Sequence, residues 1–221
     1  MNHRLAAATV CIASALTGAC SSTSQPLPGA EFAALGRQTH IRVTHHPAAQ
    51  VFTIEGTTEN TIAMLFMPIV ATPMVFRGMQ MAKDLELRDP VTRVAGPLAA
   101  SLKRALGSVE VVVTASEEDD DAAALARKLS GAMTLTVRTT TWGIDGYRAR
   151  YAARARLLDL SQGRVAWEGQ CAHVADADKP APSMEALEAD NGALLKAKLA
   201  QAADACAAQL AALVLKERAA Q

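Results

Sequence analysis

The sequence predicts an α+β fold, in which helices pack on one face of a mostly antiparallel sheet. Residues 132–174 contain three stretches of alternating apolar and polar side chains joined by short turns, a pattern typical of a three-strand antiparallel meander. Residues 191–215 carry apolar side chains at steps of three and four, as in a helix that buries one face. The length of 221 residues suits a single domain.

The elements before the meander are shorter. Asp89 followed by Pro90 indicates the start of a helix, because aspartate caps a helix and proline fits its first position. Gly107 indicates its end. A second short helix is predicted over residues 119–129, and the acidic residues 117–121 suit its N-terminus. Three further strands are predicted over residues 39–45, 50–55 and 109–114.

The first nineteen residues have the three-part pattern of a secretory signal peptide. One basic residue, Arg4, precedes an uncharged stretch at residues 5–16, which is too short to act as a membrane-spanning stop-transfer helix. Small residues follow. The sequence therefore predicts a signal peptide (residues 1–19), a lipid anchor with a flexible tether (residues 20–36) and one periplasmic domain (residues 37–221).

The junction after the signal peptide, Leu-Thr-Gly-Ala-Cys at residues 16–20, resembles the lipobox of bacterial lipoprotein precursors. In that family the cysteine becomes the first residue and carries a diacylglycerol, so the resemblance implies lipid attachment at Cys20. Thr17 stands where the family prefers a bulky aliphatic residue, and ordinary cleavage after Ala19 gives a soluble periplasmic protein as the alternative. Ser21 is not aspartate, which in the enterobacterial sorting rule favours the outer membrane, with the domain facing the periplasm.

Cys171 and Cys206 are predicted to form a disulfide. Cys171 shares a strand face with Trp167, and Cys206 lies in the apolar stripe of the C-terminal helix, so both side chains face the core. An oxidising compartment favours their pairing. Two buried free cysteines are the alternative.

An uncharged stretch at residues 61–76 begins a methionine-rich region that holds five of the eight methionines. Apolar surface of this kind suits adaptable contact with a partner or shallow insertion into a membrane. A core segment is the alternative, although Pro68 and Pro73 disfavour a regular buried helix. The candidate interface residues are Met64, Phe66, Met67, Met74 and Phe76.

One face of the meander is basic. Its arginines suit an anionic partner, either lipid phosphate or an acidic protein surface. A solvated face, on which the arginine side chains cover their neighbours and pair with Glu168, is the alternative. The candidate residues are Arg138, Arg148, Arg150, Arg154 and Arg156.

The sequence has none of the G-x-S-x-G, P-loop, H-E-x-x-H or G-x-G-x-x-G motifs, so no catalytic residue or cofactor is predicted. Cys171 and His173 share a strand face, but two ligands do not make a metal site. Equal numbers of basic and acidic residues, 22 of each, argue against a nucleic-acid partner.

The order of the predicted elements loosely resembles the amino-terminal domain of the Tol-system propeller protein and the lipoprotein activators of peptidoglycan synthases. That resemblance implies a partner-binding role without naming a partner. We therefore predict a non-enzymatic, lipid-anchored envelope protein that acts as an accessory or scaffold through protein contacts. A periplasmic carrier of a lipid or metal ligand is the alternative.

Overall fold

The computed structural model describes residues 27–46, 51–56, 71–107, 109–114, 121–129 and 133–215, with residues 71–75 described by their backbone. Within these ranges the chain forms five helices and six strands. The helices are α1 (Gly29–Gly36), α2 (Ala71–Asp84), α3 (Val91–Leu106), α4 (Ala122–Lys128) and α5 (Met184–Leu215). The strands are β1 (His40–His45), β2 (Thr53–Glu55), β3 (Glu110–Val113), β4 (Met133–Asp145), β5 (Arg148–Asp159) and β6 (Arg164–Val174).

The six strands form one mixed sheet in the order β3-β1-β4-β5-β6, with β2 beside the far end of β4. The predicted meander of β4, β5 and β6 is antiparallel, but β1 pairs in parallel with both β3 and β4. The prediction of a mostly antiparallel sheet is thus confirmed, but the sheet is mixed, because β1 and β2 add parallel pairs to it. Parallel neighbours need long connections, and helices and loops supply them between β1 and its two partners.

Helices α3 and α5 cover one face of the sheet. Their buried side chains meet those of the central strands, and α5 fixes this layer through residues such as Leu195, Leu199 and Leu210. Residues 189–192 interrupt α5 with non-helical backbone, so the regular helix begins at Ala193, two residues after the predicted start. This helix is long and apolar enough to cross a membrane, yet its apolar stripe is buried against the sheet, as in the core helix of a globular domain.

The sequence predicts helices on one face of the sheet only, but α4 partly covers the second face as well. Leu125 of α4 is fully buried against Leu158 and Leu160. The cause lies in β5, where Leu157 and Leu158 are consecutive and therefore point to opposite faces. The second face thus has an apolar patch of its own that needs a covering helix.

Residues 27–36 belong to the domain, so the prediction of a flexible tether is wrong over this part. Leu27 and Leu35 are each only 1% exposed, and the Leu27 backbone N–H donates a hydrogen bond to the Leu213 carbonyl at 3.1 Å. Glu31 Oε1 lies 3.1 Å from Arg164 Nη2. Because this stretch contains proline and glycine, the sequence did not predict the short helix α1. Cys20 and the predicted signal peptide lie outside the described residues.

The predicted ends of α3 and α4 lie within three residues of the observed ones. Asp89 Oδ1 accepts a hydrogen bond from the Val91 N–H at 2.9 Å, and Gly107 ends α3 with a positive φ of 68°. At the start of α4, Asp121 accepts hydrogen bonds from the Ala123 and Ala124 N–H groups. No helix was predicted for the part of α2 that follows the uncharged stretch.

Candidate functional site

A disulfide joins Cys171 of β6 to Cys206 of α5, as the sequence predicted. Their Cα atoms are 5.4 Å apart, and the two residues are 3% and 0% exposed. The bond closes the C-terminal helix onto the edge strand of the meander. The sulfur of Cys171 is therefore not a thiolate that a metal could share with His173. Among the residues described, no cluster of three or more histidine, cysteine or acidic side chains is arranged to hold a metal ion.

Helix α2 presents an apolar surface to solvent. Phe76 is 63% exposed, and Met79, one turn later, is 50% exposed; we call this pair the α2 surface. Of the other predicted interface residues, Met64, Phe66 and Met67 lie outside the described residues, as does the side chain of Met74. Met79 escaped the prediction because it follows Arg77, which ends the uncharged stretch.

The opposite side of α2 is held tightly against β2. Met81 is 7% exposed, and Gly78 approaches the Phe52 carbonyl so closely that a methyl group at this position would overlap the oxygen. Pro73 lies in the first turn of the helix, where a missing backbone N–H is tolerated. The exposure of Phe76 and Met79 therefore occurs on an anchored helix.

The α2 surface and the first described residue lie toward opposite ends of the molecule. Strand β2 pairs with the end of β4 that precedes the β4–β5 turn, and a methyl group at Gly192 would lie 3.0 Å from Leu85, just after α2. Leu27, by contrast, contacts Leu213 at the other end of α5. From residue 192 to residue 213 a helix rises about 32 Å at 1.5 Å per residue.

The structure separates the predicted basic face into two groups. Near the β4–β5 turn, Arg150 Nη1 lies 3.7 Å from carboxylates of both Glu55 and Asp145, while Arg148 donates to the Lys179 carbonyl at 2.7 Å. These two arginines are thus held by local acceptors.

Farther along the sheet, four half-buried arginines share one face, and we call them the arginine cluster. Arg138 of β4 is directly opposite Arg154 of β5. The other members are Arg156 of β5 and Arg42 of β1. Arg42 was not in the predicted set because the pairing of β1 with β4 could not be read from the sequence.

Glu168 is the acidic partner of the arginine cluster. Its Oε2 accepts a hydrogen bond from Arg156 Nε at 2.6 Å. Burial raises the pKa of Glu168, but hydrogen bonds from Gln170 and Arg156 and the charge of Arg154 outweigh it and lower the pKa overall. The carboxylate therefore stays ionised between the arginines.

A buried polar chain links the start of α3 to the sheet. Thr139 Oγ1 donates to Asp89 Oδ1 at 2.6 Å and lies 2.9 Å from Tyr151 Oη. Because the single Thr139 proton goes to Asp89, the Tyr151 hydroxyl must donate to Thr139. Burial raises the pKa of Asp89 and that of Tyr151. A β-bulge between residues 139 and 141 permits this contact, since it places Thr139 and Trp142 on the same buried face.

Two of the pockets that the described residues form lie on the helical side of the domain. The larger, of about 330 Å³, is lined by residues around Asp89, Arg93, Lys196 and Leu199. The smaller, of about 160 Å³, lies beside Asp176, which binds Lys179 and Lys198. Neither of these two pockets is a wide apolar cavity beneath the sheet, which a lipid carrier would need.

No protein-family model matches the sequence, and no curated protein matches it either. Among solved structures, the chain is similar to the PelC dodecamer from Paraburkholderia phytofirmans, with 15% identity, a TM-score of 0.38 and coverage of 87% of this chain and 96% of that chain. Protein XCC0632 from Xanthomonas campestris has 15% identity and a TM-score of 0.38, with coverage of 83% and 88%. Lipoprotein GNA1162 from Neisseria meningitidis has 14% identity and a TM-score of 0.26, with coverage of 67% and 89%. These values do not assign the chain to a family.

Proposed function

We propose that this chain is a lipid-anchored protein of the bacterial outer membrane that faces the periplasm and binds a protein partner through the α2 surface, without catalysis. The observation that carries the proposal is the exposure of Phe76 and Met79, side by side on a helix whose other side is locked onto β2. The lipobox-like junction at Cys20 supports the anchor.

The chemistry of the α2 surface suits a protein contact. Aromatic side chains and methionine are enriched in protein interfaces, where they fill pockets of the partner. Because the close contact at Gly78 holds the backbone of α2 against β2, Phe76 and Met79 would lose little backbone freedom on binding. The surface is thus preorganised for a partner.

The position of the α2 surface favours a protein over the anchoring membrane. Seven residue steps separate Cys20 from Leu27, and an extended chain of that length reaches about 25 Å. Leu27 lies near the end of the molecule that is opposite to α2. With the domain upright on this short connection, Phe76 and Met79 face the periplasm.

Lipid attachment at Cys20 is the first expected result. The mature protein should partition into detergent and should carry the mass of a diacylglycerol on Cys20, because several acyl chains on one residue anchor a protein stably. Cys20→Ala should release the protein into the periplasm. Recovery of an unmodified soluble chain that begins at Cys20 would show that the anchor is wrong.

A photo-reactive amino acid at position 76 should crosslink to one discrete envelope protein in cells. Adding Met79→Asp to the same chain should abolish this adduct, because a charge in an apolar contact is costly to desolvate. The melting temperature of the isolated protein should change little, since Met79 is half exposed. Immunoblotting and mass spectrometry of the adduct provide the readout.

Val165 provides the matched control for this experiment. It is an apolar side chain that is 44% exposed on β6, away from α2. The photo-reactive group at position 165 should not yield the adduct, and Val165→Asp should not reduce crosslinking from position 76. Crosslinks from position 76 to lipid alone would replace the protein partner with a membrane contact, and a large fall in melting temperature for Met79→Asp would place this side chain in the core.

A further inference from the structure

We propose that the smaller pocket, beside Asp176, binds a carboxylate that is attached to a short aliphatic group. The pocket has a volume of about 160 Å³ and lies between the β4–β5 turn, the segment after β6 and the N-terminal part of α5. Pockets that enclose a drug-sized ligand measure about 300–1,000 Å³. The smaller volume therefore suits a short aliphatic acid or the last residue of a polypeptide.

Most of the residues that line this pocket are apolar. Ala149 and Leu187 belong to the core of the domain and are 1% and 0% exposed, so this part of the wall is well packed. An aliphatic group that enters the pocket leaves water, which favours its binding. The apolar lining residues are Ala149, Ala175, Pro180, Pro182, Leu187 and Leu194.

The charged side chains of the pocket are mostly cationic. Lys179 Nζ lies 2.9 Å from Asp176 Oδ1, and Lys198 Nζ contacts the Oδ2 of the same residue. One carboxylate thus serves two ammonium groups. Asp178 is outside the lining but also attracts Lys179. With Arg148, the site has three cations and two carboxylates, so an anionic ligand matches its charge.

Arg148 is the cation of this pocket that has no carboxylate partner among the described residues. Asp145 is opposite Arg148 in the strand register, but it lies 3.7 Å from Arg150. Arg148 Nη2 instead donates to the Lys179 carbonyl at 2.7 Å, which places the guanidinium at the pocket wall, because Lys179 is part of the lining. That carbonyl has no net charge. The guanidinium can therefore still take a carboxylate, the partner that its planar fork fits best.

The Nε atom of Arg148 is a second, independent observation. It is buried from solvent and has no hydrogen-bond partner. Buried donors without an acceptor are rare in proteins, because they give up their hydrogen bonds to water without replacement. If the guanidinium turns toward the pocket, Nε becomes accessible there. A carboxylate then accepts parallel hydrogen bonds from Nε and one Nη, so binding satisfies the orphaned donor.

The experiment titrates the chain from residue 20 onward, with Cys20→Ser, and follows backbone amide shifts by nuclear magnetic resonance. One ligand is isovalerate, and the other is a Gly-Gly-Val tripeptide with a free carboxyl terminus. Dissociation constants in the millimolar range are expected for ligands of this size. The shifts should concentrate at Ala149, Ala175 and Leu194, which line the pocket. Tighter binding of the tripeptide makes a polypeptide terminus the source of the carboxylate, and tighter binding of isovalerate makes it a free acid.

Uncharged ligands of the same shape test the role of the carboxylate without any change to the protein. Isovaleramide and the amidated tripeptide, at equal ionic strength, should each bind at least about tenfold more weakly than the corresponding acid, because they lose a charge-assisted pair of hydrogen bonds. This comparison uses the wild-type fold. It is therefore unaffected by any substitution that destabilises the domain.

Arg148→Gln should weaken the binding of both acids about tenfold or more, because the bidentate donor is lost. Arg150→Gln is the matched control, since Arg150 is on the same strand, lies near Glu55 and Asp145, and is outside the lining. It should change binding less than about twofold, because the effect of an exposed charge outside the site is small. Melting temperatures of both variants verify that they are folded.

Three outcomes would overturn the proposal. The first is the absence of saturable binding by either acid in the millimolar range. The second is equal binding of an acid and its amide, which would leave the carboxylate without a role. The third is binding that a folded Arg148→Gln variant leaves unchanged, or that Arg150→Gln weakens equally. None of these results depends on lipid at Cys20 or on the α2 surface, so a failure here is distinct from a failure of the proposed function.

Discussion

Gly78→Ala is expected to lower the free energy of unfolding by about 2 kcal/mol or more, even though it adds a single methyl group. The methyl group would overlap the carbonyl oxygen of Phe52, a backbone atom that cannot rotate away. Helix α2 must therefore shift from β2. The higher helix propensity of alanine, worth about 1 kcal/mol, offsets only part of this cost.

Gly78→Ala should also strongly reduce partner binding. The shift of α2 should displace Phe76 and Met79 together, so crosslinking from position 76 should fall although both side chains are intact. Denaturant unfolding and the crosslinking yield measure the two effects.

Gly36→Ala is the control for the same chemical change. Nothing lies within 4 Å of a methyl group at Gly36, so stability should be unchanged or slightly higher. Equal unfolding free energies for Gly78→Ala and the wild type would contradict the close contact between α2 and β2.

Loss of the Cys171–Cys206 disulfide is expected to have the largest effect on stability. In the chain-entropy model, a bond between residues 35 positions apart contributes about 4 kcal/mol by restricting the unfolded chain. This is a large part of the 5–15 kcal/mol that typical domains have in total. Cys171→Ala with Cys206→Ala should lower the unfolding free energy by about that amount.

The test compares wild type and this double variant with and without a reductant, both carrying Cys20→Ser so that no other thiol of the mature chain interferes. The reductant should destabilise the wild type and leave the variant unchanged. Denatured wild-type protein should not react with a maleimide before reduction. Reaction of both cysteines at that stage would show that the bond is absent.

The sequence was most informative where two independent patterns gave the same answer. Strand alternation placed Cys171 on the buried face of β6, and helical spacing placed Cys206 in the buried stripe of α5, so their pairing was predictable. The meander was predictable because short turns leave consecutive strands few choices of neighbour. These features depend on local spacing alone.

Features that depend on distant neighbours were not predictable in this way. Alternation shows which face of β1 is buried, but not that β1 lies between β3 and β4, so Arg42 could not be added to the arginine cluster. The bulge beside Thr139 changes the alternation within β4, which hid the contact with Asp89. Leu27 and Leu35 were too few apolar residues to reveal α1 among prolines and glycines.

The strand order also determines when the domain can fold. Synthesis begins at the N-terminus, yet β1 is a central strand whose partners follow much later: Arg42 pairs with Val112 of β3 and with Thr134 of β4. The hydrogen bond from the Leu27 N–H cannot form until Leu213 has been made, which is later still. Contacts of such high sequence separation slow folding, and an unpaired apolar strand is prone to aggregation in the meantime. The first strand to emerge must therefore remain unpaired until at least half of the chain has been made, so a chaperone that shields β1 during this interval would benefit this protein more than one built from consecutive hairpins.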